Sequence, residues 1–144
     1  MEVILLSAGS RHCAVPREHV LEVMRPLSLQ ALTGAPTYLL GLAVVRGRPT
    51  PVVHLGLLLG EQEASVARWV TVRTGERQVA LAVSAVEGLV SLETHAFEES
   101  APLLGLCRDN AIAELATRDG QLVFLLETSR LVEKCPSVLP EGSP

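Results

Sequence analysis

Four histidines, three cysteines and sixteen acidic residues are the side chains of this 144-residue sequence that could carry catalysis or hold a metal. Their spacing keeps them apart. His12 and Cys13 are adjacent in an apolar run that reads as a strand, where successive side chains point to opposite faces and cannot act as base and nucleophile. His54 alternates with Val53 and Leu55, the pattern of a hydrogen-bonded strand histidine. His19 and His95 have carboxylates three or four residues on, at Glu22, Glu98 and Glu99, but no second His or Cys completes a ligand set. Gly41, Gly47, Gly56 and Gly60 are spread through β-like sequence, without the Lys-Ser/Thr or helix start of a phosphate loop. Glu98-Glu99 reads as a solvated turn. From these residues we expect no enzyme, no metal and no cofactor.

What remains is a residue suited to binding. In VRGRPTPVVHLGLLLG, Val45 to Gly60, Arg46 and Gly47 form a polar turn between two apolar runs. A guanidinium fork can grip carboxylates or carbonyls while its stem packs on apolar surface, so Arg46 is the best candidate for a docking anchor. Glu22, an acid inside an apolar strand, is its natural counter-charge. The two could also simply pair with each other across neighbouring strands.

The elements that would carry these residues are short. Composition is 48% hydrophobic but only 3% aromatic, so the core must be built from Val, Leu and Ala. A net charge of −4 and the scarcity of rings exclude a nucleic-acid surface. No apolar run approaches the roughly 20 residues needed to cross a bilayer, and the cysteines, odd in number, read as reduced thiols. The expectation is a soluble cytoplasmic protein. Strands are expected at Glu2–Ser7, Arg11–Val15, Val20–Arg25, Leu42–Val45, Pro51–His54, Trp69–Thr74, Gln78–Val83, Val86–Leu92, Ala111–Thr117 and Gln121–Leu126. Asp119-Gly120 is a strong hairpin signal. Pro49 and Pro51 require the strand they open to begin irregularly or to lie at a sheet edge. One closing helix is expected over Glu127–Lys134, then a flexible tail over 136–144. RGRPTPVVHL and RDGQLVFLL share a turn, an apolar strand and a helix-like segment, a faint sign of internal duplication.

Read from Val20 to Gly60, the sequence resembles the CheW-like adaptor domain of bacterial chemotaxis. Val20, Glu22, Val23, Pro36, Tyr38, Gly41, Arg46, Gly47, Pro51, Val52, Leu55 and Gly60 fall on that family's pattern. LLSAGSRHCAVPREHVLEV resembles its opening hairpin, RWVTVRTGERQVALAVSAVEGLV the first strands of its second barrel, and AELATRDGQLVFLLETSRLV its last hairpin and helix. The resemblance implies an all-β fold of two interlocked five-stranded SH3-like barrels sharing a hydrophobic core, as a single domain over 1–135. It further implies a non-catalytic adaptor coupling a chemoreceptor's cytoplasmic hairpin tip to the regulatory domain of a CheA-type histidine kinase, recruited to receptor complexes at the inner membrane. Carried over by position, Val20, Glu22, Gly41 and Arg46 are the receptor-binding residues, with Gly41 letting a partner backbone approach closely.

The sequence departs from the pattern at Val44, usually Asn; at His54, usually Asp, followed by Gly56 where a basic residue is common; and at Ser84, usually Asp. If those acids orient Arg46 or satisfy buried turns, this chain must hold its arginine differently, through Glu22, and His54 would mark a changed partner. The alternative reading is a small-molecule-binding β-barrel or vestigial sensor, with an apolar ligand between the barrels.

Overall fold

The computed structural model describes residues 1–62, 65–93 and 112–133. Among the described residues, ten strands form two five-stranded sheets: β1 (Glu2–Ala8), β2 (Arg11–Pro16), β8 (Ala85–Ser91), β9 (Ile112–Arg118) and β10 (Gln121–Leu126) make the first, in the order β8-β1-β2-β10-β9. The second is β3-β6-β7-β5-β4, from β3 (Val20–Met24), β4 (Leu39–Val45), β5 (Arg48–His54), β6 (Arg68–Thr74) and β7 (Arg77–Val83). A 3-10 turn at Arg17–His19 enters β3; α1 (Leu55–Leu58) follows β5 and α2 (Thr128–Glu133) follows β10.

All ten expected strands are present, with shifted ends. β4 begins three residues early, and β5 includes both prolines and is not at an edge. Its parallel pairing with β7 begins only at Val52, so Pro49 and Pro51 lie in the part flanked by β4 alone. Across that flank nothing is asked of them: Leu42, opposite Pro51, turns its backbone N–H and C=O outward to Gln30 at 2.9 and 2.8 Å. The edge is β4. The one-turn α1 was visible in the sequence only as a helix-like segment. The expected tail, with Cys107, Cys135, His95, Glu98 and Glu99, lies outside the described residues.

The two sheets repeat one plan. In each, the central pair is parallel (β2 with β10, β7 with β5) and the other pairs are antiparallel. The bulges recur at matching places: Leu21 in β3 and Glu87 in β8 are left unopposed, as are Leu40 in β4 and Ala113 in β9. Turns match as well. Gly9 and Gly75 open two-residue turns with φ of 62° in both, while Arg46-Gly47 (54°, 77°) and Asp119-Gly120 (51°, 77°) have both central residues left-handed. That last class is the hairpin turn whose twist suits the flanking strands. The repeat glimpsed in RGRPTPVVHL and RDGQLVFLL is therefore a repeat of architecture. The second sheet is continuous in the chain and nested inside the first, which needs the N-terminal hairpin to complete it.

Because the strands alternate, each sheet buries both faces. One face of each meets the other in a shared cluster that includes Leu6, Cys13 and Val15, Val53, Val70, Val72 and Leu81, and Phe124, Leu126 and Leu131. The opposite face of the first sheet closes over Val3, Leu5, Ala14, Ala116, Val123 and Leu125. That of the second closes over Trp69, whose indole is accommodated by Ala43, Ala80 and Ala82. A sheet that buries its own residues on the far face must curl, and each curls into a barrel.

Candidate protein-docking site

Arg46 sits at the tip of the β4–β5 hairpin in a left-handed conformation, φ 54°. Its Nε and Nη2 donate to Oε2 and Oε1 of Glu22 at 2.8 and 3.0 Å. The expectation of a pair across neighbouring strands is corrected by topology. β3 and β4 are the two edges of the second sheet, so the ion pair spans the seam where the curled sheet meets itself. The Arg46 side chain is 77% exposed and that of Glu22 27%. Hydrogen bonding from the guanidinium holds the Glu22 carboxyl below the usual range, and the carboxylate raises Arg46 in turn.

Val20 pairs with Val72, is half-buried, and packs on the shared cluster. Gly41 is buried with φ 147°, and a Cβ there would lie 2.2 Å from the Gln30 carbonyl oxygen. The backbone that exploits the missing side chain is thus the chain's own, held by the Gln30–Leu42 bridge. Of the four residues, Glu22 and Arg46 are brought into contact, Val20 packs on the shared core, and Gly41 seats the β3–β4 connection.

The departures at His54 and Ser84 have local explanations. His54 is buried, and its Nδ1 accepts from the Leu57 N–H at 3.1 Å, capping α1. An Asp there would serve the same end, since N-caps need an acceptor. His54 lies at the opposite end of β5 from the Arg46 turn. Ser84 Oγ accepts from the Gly9 N–H at 3.0 Å and donates to the Ser65 carbonyl at 2.7 Å, pinning the β1–β2 turn to the second sheet. Glu61 grips the same turn, accepting from the backbone N–H of Ser10 at 2.8 Å and from its hydroxyl. These bonds lower the Glu61 carboxyl below the usual range. Sequence reasoning missed this latch, because its members are separated along the chain and only folding brings them together.

His12 and Cys13 do point apart. Cys13 is fully buried, which pushes its thiol up to about 12, while His12 lies 3.8 Å from Glu87. His19 Nδ1 is 3.0 Å from Thr128 Oγ1, tying the entrance of β3 to α2.

A model of the CheW-like domain family matches residues 2–135. The chain belongs to that family. Membership makes it a non-catalytic scaffold of the chemotaxis type, working through protein partners. No curated protein matches the sequence. Among solved structures, the scaffolding protein TtCheW from Thermoanaerobacter tengcongensis is similar, with TM-score 0.70 and 19% identity over 88% of each chain. At that identity the likeness carries the fold, and it agrees with the two-barrel CheW-like architecture described above. Among the described residues, no helix is long and apolar enough to cross a membrane.

Proposed function

We propose that this CheW-like domain couples a chemoreceptor to a CheA-type histidine kinase, with residues 1–135 acting as one unit on the cytoplasmic side of receptor complexes. The observation that carries the reading is the family match over residues 2–135. The exposed Arg46–Glu22 pair supports the receptor side: a guanidinium held by its own carboxylate is pre-oriented, so little side-chain freedom is lost when a partner adds contacts. In this reading Arg46 and Glu22 touch the receptor tip, while Val20 and Gly41 shape the ground beneath them. The kinase regulatory domain docks on a barrel elsewhere.

Pull-down of the cognate receptor tip and kinase regulatory domain tests this, with Arg46→Glu as the comparison. Wild-type binding to both is expected, with selective loss of the receptor in the variant. Binding of neither partner more tightly than a Kd of about 1 mM, worth only about −4 kcal/mol, would sink the proposal.

A further inference from the structure

The edge strand β4 has an unfinished stretch. Gln30 forms an isolated antiparallel bridge to Leu42, using both outward backbone groups of that residue. Strand periodicity turns the N–H and C=O of Val44 to the same edge, and the antiparallel register would set Ser28 against them. Instead the connection peels away. A groove of about 420 Å³ opens there, lined by Ser28, Leu29, Gln30, Leu42, Val44 and Pro49. Val44 is 68% exposed, the most exposed large hydrophobic residue among those described, and Leu29 beside it is exposed too. An unpaired edge next to exposed apolar side chains is the arrangement that accepts an added strand.

We infer that the groove along β4 receives a short extended segment of a partner protein, apolar at alternate positions and carrying an acid at one end. Val44 supplies one donor and one acceptor to the incoming backbone, and Leu29, Leu42 and Pro49 receive its apolar side chains. Charge selects the acid: from Arg25 to Arg48 the sequence holds no acidic residue in a protein of net charge −4, and Arg48 directly precedes the lining residue Pro49. The contact is separate from the grip of Arg46 on Glu22, and it calls for an extended partner where the receptor tip is helical.

The test uses the full chain and a library of acetylated hexapeptides with alternating apolar and polar residues and a terminal Asp or Glu. Binding is read by amide shifts and by hydrogen exchange at Val44. Expected is at least a tenfold slowing of Val44 exchange at saturation by some library members, with weaker binding when the terminal acid becomes Lys. Val44→Pro removes the outward donor, which the fold does not use, and should abolish binding while Val44→Thr retains it. Should Val44→Pro fail to fold, N-methylation of alternate peptide residues makes the same test on wild-type protein and should also abolish binding. No protection at Val44 by any member would overturn the inference, as would unchanged affinity for Val44→Pro or for N-methylated peptides. Tighter binding of a stapled helical peptide to the same groove would overturn it in favour of a helical partner. Protection that rises with protein concentration alone would overturn it in favour of a second copy.

Discussion

Arg46 and Glu22 join the two edge strands of the second sheet through a two-pronged ion pair, with bonds of 2.8 and 3.0 Å. Both side chains face solvent, where such pairs contribute little to stability. Their placement at a seam separates two roles that substitution can distinguish. Arg46→Glu sets two carboxylates against each other and should lower the urea midpoint modestly. Exchanging both, Arg46→Glu with Glu22→Arg, should restore the midpoint but not receptor binding. Restoration of both would mean that the pair acts only as a clasp.

Acid should loosen both this seam and the latch of Glu61 on the β1–β2 turn. Glu22 and Glu61 are both held below the usual carboxylate range, Glu22 chiefly by the hydrogen bond from Arg46 and Glu61 by those from Ser10. A carboxyl that is a stronger acid in the folded state binds its proton first in the unfolded state. Its stabilisation is therefore complete above the ordinary range and is lost as pH falls through about 4 and below. Denaturant midpoints measured from pH 6 to pH 3 should fall, and the double variant Glu22→Gln, Glu61→Gln should flatten that decline. An equally steep decline in the double variant would assign the acid sensitivity to other groups.

Gly41 and Gly88 occupy positive φ values of 147° and 122°, but only Gly41 is crowded. Gly41→Ala must absorb both backbone strain and a clash with the Gln30 carbonyl, and should cost about 3 kcal/mol or more. Gly88→Ala faces open space and should cost about 1–2 kcal/mol, for the backbone alone. Equal losses in thermal unfolding would show that the β3–β4 connection yields easily.

His54 offers a sharper trial of a local role. Removing the cap with His54→Ala should cost about 1 kcal/mol through the lost acceptor. His54→Asn, which keeps an acceptor near the Leu57 N–H, should recover part of it. If kinase or receptor affinity changes in His54→Asn at unchanged stability, the residue has a partner-facing role beyond the cap.

Much of this was legible in the chain itself. Alternating apolar runs, the Asp119-Gly120 and Arg46-Gly47 turns and the Val/Leu/Ala composition determine ten short strands, because side-chain period and turn chemistry are local properties. The family pattern from Val20 to Gly60 marked Glu22 and Arg46 before their contact was known. Three things required tertiary structure. That β3 and β4 are opposite edges rather than neighbours depends on strand order, which no local signal encodes. That Gly41 serves its own chain depends on where the β3–β4 connection runs. His54 reads as a strand histidine in the sequence, and only the turn of helix after it makes its ring nitrogen a cap. In each case the deciding contact joins groups whose approach is set by how the sheets curl and nest, through the burial of both faces of every central strand.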